Sequence, residues 1–199
     1  MECWCREWSS DRRWPWTRKR LDQLDRPINA VVDKETDSLI ISDADNRRVV
    51  RWPRRSNATS GETILNSVDC YGLTMDDQRC LYVSDIDKNE VRRYRMGETS
   101  GTIVAGGNGE GSRLNQLNRP TYIFVDVNHA VYVSGRDNHH VMKWVKGVKE
   151  RIVVAGGRGH GNALTQLSYP RGVFVDPLGT VYVADEENHR LMRWYKGET

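Results

Sequence analysis

Gly172-Val173-Phe174-Val175-Asp176-Pro177-Leu178-Gly179-Thr180-Val181-Tyr182-Val183-Ala184-Asp185-Glu186-Glu187-Asn188-His189-Arg190-Leu191-Met192-Arg193-Trp194 contains three short runs of β-branched, aromatic and aliphatic residues. Pro177-Leu178-Gly179 separates the first two runs, and Glu186-Glu187-Asn188-His189 separates the second from the third. Runs of this kind bounded by turn formers are strands joined by tight hairpins. The same landmarks stand fifty residues earlier: Asp126 for Asp176, Val131-Tyr132-Val133 for Val181-Tyr182-Val183, Asn138-His139 for Asn188-His189, and Trp144 for Trp194. Leu114-Asn115-Gln116-Leu117-Asn118-Arg119-Pro120 likewise returns as Leu164-Thr165-Gln166-Leu167-Ser168-Tyr169-Pro170. Leu21-Asp22-Gln23-Leu24-Asp25-Arg26-Pro27 opens a further copy that runs through Asp33, Leu39-Ile40-Ile41-Ser42-Asp43 and Asn46 to Trp52. Another runs through Asp76, Leu81-Tyr82-Val83-Ser84-Asp85 and Val91 to Tyr94. Recurrence at 42 to 50 residues marks a supersecondary unit that hides its faces only by stacking on its neighbours.

A fourth strand follows the third in two of the copies, as Thr102-Ile103-Val104-Ala105 and Arg151-Ile152-Val153-Val154-Ala155. Four antiparallel strands in about 45 residues make one blade of a β-propeller. Strands such as Val173-Phe174-Val175 are apolar on both sides, as expected of a blade sandwiched between two others. Helical periodicity over ten or more residues is absent. The expectation is an all-β propeller of about four blades, near 21–68, 69–105, 106–155 and 156–199, after an irregular Trp- and Arg-rich leader over 1–20. The last copy reaches Thr199 before a fourth strand, and a leader with Pro15 and dense charge is a poor substitute. An incomplete ring is therefore predicted, with terminal edges open to self-association.

Asp185 and Arg190 flank a four-residue turn, and Asp43 and Arg48 occupy the same places in the first copy. Opposite charges facing across a hairpin contribute roughly 0.2 to 1 kcal/mol. The third copy loses both members together, as Gly135 and His140, and the second has Glu90 opposite Asp85. Gly106-Gly107-Asn108-Gly109-Glu110-Gly111 and Gly156-Gly157-Arg158-Gly159-His160-Gly161 have the look of phosphate-cradling loops, but no helix opens after either. They read as connections between blades. Cys70 and Cys80 fall too far apart across their hairpin for a disulfide if residues near 75 and 80 face each other, so free thiols are expected.

With 199 residues, 38% hydrophobic and 29% charged, the chain has the composition of a soluble globular protein. A net charge of +3 does not by itself point to a polyanion partner. No run reaches the roughly 18 apolar residues of a membrane span, and Met1 to Arg20 lacks an apolar signal core, so a cytoplasmic location is expected. The aromatic and basic leader reads as a disordered tail, with binding to single-stranded nucleic acid or a membrane surface as the alternative.

The run from Val175 to Trp194, with Asn188-His189-Arg190 at its centre, resembles the NHL repeat, a family of propeller blades. The resemblance extends over residues 21–199 and weakens where the earlier copies read Asn46-Arg47-Arg48 and Lys88-Asn89-Glu90. Propellers of this family usually have six blades, so the resemblance implies that about two are missing here. It also implies a non-catalytic scaffold, without a cofactor, that binds a protein or peptide through loops on one face. In a four-stranded meander, the loop between the second and third strands and the loop into the next blade emerge at the same end. That face carries Arg47, Lys88, Asn89, Arg136, Asn138, His139, Arg158, His160, Glu187 and His189, whereas His129 belongs to the opposite end. RNA binding is the alternative, as in NHL propellers attached to tripartite-motif ubiquitin ligases, although this chain has no RING-type spacing. A zinc-dependent lyase or hydrolase is a further alternative, with His139, His160 and His189 as the metal ligands.

Overall fold

The computed structural model describes residues 20–55, 57–145, 147 and 151–198, so expectations for residues 1–19 lie outside the described residues. Three sheets have four antiparallel strands each in simple meander order, and one has three. Blade 1 comprises β1 (Pro27–Asp33), β2 (Ser38–Asp43), β3 (Arg48–Pro53) and β4 (Glu62–Asn66). Blade 2 comprises β5 (Cys70–Met75), β6 (Cys80–Asp85), β7 (Glu90–Arg95) and β8 (Thr102–Gly106). Blade 3 comprises β9 (Pro120–Val125), β10 (Val131–Gly135), β11 (His140–Trp144) and β12 (Arg151–Gly156). Blade 4 comprises β13 (Pro170–Val175), β14 (Val181–Asp185) and β15 (Arg190–Trp194). Blade 4 thus has three strands among the described residues, in line with the sequence reading. The sole helical segment among them is a single 3-10 turn at Glu186–Asn188, far too short to cross a membrane.

The inner strands β1, β5, β9 and β13 pack in succession, and the core lies between the blades. One cluster joins Tyr82 and Val91 of blade 2 to Ile123, Val131 and Val133 of blade 3. Another joins Tyr132 and Val141 of blade 3 to Val175, Val181 and Val183 of blade 4. Serines at the end of the second strand stitch neighbouring blades. Ser42 Oγ donates to the Cys70 carbonyl at 2.8 Å, and Ser84 Oγ donates to the Thr121 carbonyl at 2.7 Å. No blade follows blade 4 among the described residues, and its outward face is open: Phe174 is 53% and Leu191 71% exposed.

Aspartates shape the turns at the end away from the inter-blade linkers. Asp126 Oδ1 accepts from the backbone N–H groups of Asn128 and Ala130, and Oδ2 accepts from Tyr132 Oη. Asp176 repeats the pattern with Leu178, Thr180 and Tyr182. A turn that needs a short carboxylate at one place, and a phenol six residues on, explains why both recur at the blade period.

The Leu-x-Gln-Leu segments are explained by the linkers they close. Gln116 Nε2 donates to the carbonyls of Asn108 and Glu110, and Gln166 Nε2 to those of Arg158 and His160. Each glutamine therefore wraps its own glycine-rich loop, while Leu117 and Leu167 are fully buried between blades. Gly106, Gly107, Gly156 and Gly157 all have positive φ, which glycine adopts without a Cβ penalty. These loops are linkers, as the sequence implies.

Arg48 and Arg190 pair with Asp43 and Asp185 at 2.6 and 2.7 Å. The role of these pairs exceeds that of a cross-strand contact. Asp43 also accepts from the Asp25 N–H and Asp185 from the Ser168 N–H, while Arg48 donates to the carbonyls of Arg20 and Gln23. Arg190 donates to the carbonyls of Asn162, Ala163 and Gln166. The pair is a latch that satisfies the polar backbone of the incoming segment. Blade 3 replaces it: Asn138 Oδ1 accepts from the Asn118 N–H and Nδ2 donates to the Gly111 carbonyl. In blade 2, Asp85 turns to Lys88 and Glu90 to Arg92. Cys70 is a buried free thiol, Cys80 is buried as well, and Met75 pairs with Leu81 rather than with residue 80.

Candidate functional site

The four turns between second and third strands share a backbone form. Arg47, Asn89, His139 and His189 each take the left-handed conformation at the last turn position, with φ of 53°, 52°, 57° and 51°. This form is uncommon for residues other than glycine, and asparagine and histidine are among those that tolerate it. It fixes where each side chain leaves the turn, so residues one period apart in sequence occupy equivalent positions around the loop face.

At the junction of blades 3 and 4 the loop face gathers an aromatic and basic cluster. The His139 and His160 rings lie 4.7 Å apart, and His139 meets Tyr169 edge-on at 4.7 Å. The Arg136 guanidinium carbon sits 4.4 Å from the Tyr169 ring centroid, a cation–π contact. Tyr169 N–H donates to His139 Nδ1 at 3.3 Å, and His160 Nε2 shares a 2.8 Å hydrogen bond with Ser168 Oγ. Ser168 Oγ in turn donates to Glu187 Oε2 at 3.2 Å. Burial lowers the pKa of His139, and the neighbouring His160 lowers it further, against opposing pulls from Asp137 and Glu187.

Of the ten residues expected on this face, Arg136, His139, His160 and Glu187 come together here. Arg47 lies at the junction of blades 1 and 2, ion-paired to Asp87 at 2.6 Å, and Lys88 pairs with Asp85 at 3.1 Å. Asn89 is buried and accepts from the Arg119 N–H, so it and Asn138 hold the linkers in place. Arg158 and His189 are exposed, and no contact joins either side chain to the cluster. Three imidazoles therefore do not converge: His139 and His160 face each other, with His189 apart. Among the described residues no group of three His, Cys, Asp or Glu side chains is placed to hold a metal ion. His129 is at the opposite end, 3.3 Å from Asp76.

Tyr169 and Ser168 were not among the expected site residues. The signal lies in the register of the repeats: Tyr169 stands where the other copies have Arg26, Asp69 and Arg119, directly before the inner strand. An aromatic at a position otherwise charged marks a departure that the blade itself does not require.

The NHL repeat profile matches residues 167–193, so the last linker and blade 4 carry an NHL repeat in a β-propeller arrangement. No curated protein sequence matches the chain. Among solved structures, a gluconolactonase from Xanthomonas campestris superposes with a TM-score of 0.70 at 17% identity, covering 90% of this chain and 65% of its own. A streptogramin B lyase superposes with a TM-score of 0.66 at 10% identity, covering 91% of this chain and 55% of its own. A virginiamycin B lyase from Staphylococcus aureus gives 0.61 at 8% identity, over 87% and 54%. These likenesses establish the fold. The chain spans less than two thirds of the length of these proteins.

Proposed function

We propose that this chain is a non-catalytic binding scaffold that holds a protein or peptide segment on its loop face, at the junction of blades 3 and 4. The observation that carries the reading is the Arg136–Tyr169–His139–His160 cluster, which sets aromatic surface and positive charge together on rigid turns. Tyrosine and arginine are the side chains most often found as anchors in protein interfaces, because both offer large contact area and directional hydrogen bonding. The turns that present them are fixed by the linker contacts of Asn138 and Asp185. Selection of a displayed peptide library on the intact chain tests the reading. Enriched peptides are expected to lose at least about tenfold in affinity on Tyr169→Ala or Arg136→Ala, the loss of an interface anchor. Peptides that bind both variants as well as the parent would place the binding surface elsewhere.

RNA is the second reading, and the same cluster favours it, since bases stack on tyrosine, histidine and arginine planes. An RNA complex would weaken steeply between 50 and 200 mM salt, whereas a peptide held by packing would respond much less. A lyase or lactone hydrolase is the third, favoured by the fold likeness to the gluconolactonase and the two lyases. Assay of gluconolactone opening by the purified chain, against buffer alone, decides that one.

A further inference from the structure

At the same end of the arc, on its inner side, side chains from three blades meet at one oxygen. Tyr71 Oη of β5 accepts from Arg26 Nη2, directly before β1, at 3.4 Å and from Arg171 Nη1 of β13 at 3.3 Å. Both guanidinium carbons lie near the Tyr71 ring, 5.8 and 5.9 Å from its centroid, and Tyr122 of β9 closes the fourth side edge-on at 6.2 Å. Two cations thus share one neutral acceptor. Among the described residues each has a single carboxylate of its own: Asp45 accepts from Arg26 Nη1 at 3.2 Å, and Glu186 Oε2 lies 2.5 Å from Arg171 Nε without the alignment of a hydrogen bond. A guanidinium has five N–H donors in a planar fork, so donors remain on both arginines.

The blade does not require this arrangement. Positions equivalent to Tyr71 hold Ile28 in blade 1 and Thr121 in blade 3, and the strands there form in the same register. Residues that the repeat can dispense with, but that converge from opposite ends of the arc, have the pattern of a site. The Arg26 and Arg171 side chains are 57% and 34% exposed, so solvent reaches both.

We infer that Arg26, Tyr71 and Arg171 form an oxyanion-binding site at the axial mouth, which takes one carboxylate or phosphate group of a ligand entering from the loop face. An oxyanion seated against the two guanidinia receives charge-assisted hydrogen bonds from both forks and relieves their mutual repulsion. The phenol orients the pair in the absence of the anion. The site is separate from the Tyr169 cluster, and either can fail without the other.

Titration of the full chain at low ionic strength with inorganic phosphate, and separately with acetate, followed by calorimetry and by arginine Nε–H resonances, tests the inference. Saturable one-to-one binding of at least one anion is expected below roughly 10 mM, and the two arms distinguish a phosphoryl from a carboxylate ligand. Affinity is expected to fall at least tenfold in Arg26→Gln and in Arg171→Gln. Arg26 is the more exposed of the two, so Arg26→Gln carries the test if the Arg171 variant does not fold. Absence of saturation by both anions overturns the inference, as does unchanged affinity in the folded glutamine variants. A lowered thermal midpoint in Arg26→Gln with no anion binding by the parent chain would instead mark the three residues as a structural clasp.

Discussion

Blades 3 and 4 are the most alike in sequence and the most different in surroundings. Blade 3 is enclosed on both sides: Tyr132 and Val141 are almost fully buried against blade 4. The same places in blade 4 are Tyr182, which is half-buried, and Leu191, which is 71% exposed. One repeat therefore experiences two environments, and the difference separates what a blade needs for itself from what it supplies to its neighbour. The strands, the Asp176 turn and the Asp185–Arg190 latch of blade 4 all form without a neighbour on the outward face. Local pairing and turn chemistry define the blade, and the apolar outward face serves the next one.

The comparison breaks most visibly at a matched pair of charges. Val141→Asp would put a carboxylate into the cluster between blades 3 and 4 with no cation beside it, and should cost more than about 4 kcal/mol or prevent folding. Leu191→Asp, at the equivalent but open position, should change stability by less than about 0.5 kcal/mol. Urea denaturation of both variants checks this, and equal costs would mean that the outward face of blade 4 is covered in solution.

The latch sharpens the contrast. Asp43→Ala removes the 2.6 Å carboxylate from an Arg48 whose side chain is only 7% exposed, and breaking a buried ion pair from one side costs about 3 to 5 kcal/mol. Asp185→Ala leaves an Arg190 that is 24% exposed and can reach water, so a smaller loss, about 1 to 3 kcal/mol, is expected. Chemical denaturation orders the two, and a larger loss at Asp185 would show that burial does not set the strength of the latch.

Blade 3 dispenses with the latch and carries an acid-sensitive residue in its place. His140 is buried, its Nε2 has no hydrogen-bond partner among the described residues, and burial, with a smaller contribution from His139, pushes its pKa down from 6.5 to about 4. The unfolded chain binds this proton more readily than the folded one. The stabilising effect of neutral His140 is therefore complete above pH 6.5 and is lost as the pH falls toward 4, by up to about 3 kcal/mol. His140→Leu should remove that part of the acid sensitivity, seen as a flatter plot of unfolding free energy between pH 6.5 and 4. An unchanged slope would assign the acid response to other groups.

How much of this could be read in the sequence follows from the same contrast. Features that recur between copies were legible: the strands, the end of the arc at which each loop emerges, the linker role of the glycine-rich segments, and the pairing of Asp43 with Arg48. The depth of that pair was not, because its burial comes from carbonyls of a segment more than twenty residues away in sequence. Asn89 and Asn138 look like free loop donors in sequence, yet tertiary contacts with linker amides occupy both. Tyr169, Tyr71 and Arg171 were missed for the opposite reason: each is an exception within its repeat, while Arg26, matched by Arg119 in the third copy, reads as an ordinary turn residue. Only the curvature of the arc brings Arg26 and Arg171 to one phenol.

A pair of glycine positions isolates blade stacking from every charge. A Cβ on Gly72 of blade 2 would overlap the Thr121 carbonyl of blade 3 and crowd the Tyr122 backbone, neither of which can yield without shifting an inner strand. Gly72→Ala should therefore cost about 1 to 3 kcal/mol. Gly172, one hundred residues on and in the same place in blade 4, would meet only the Ala184 Cβ at an ordinary 3.7 Å. Its φ is not in the left-handed region, so Gly172→Ala should stabilise by about 0.4 to 1 kcal/mol through the unfolded chain's lost freedom. Thermal unfolding of the two alanine variants gives opposite signs if an inner strand lies over blade 2 and none over blade 4. Destabilisation by both would mean that in solution another surface approaches Gly172 as closely as blade 3 approaches Gly72.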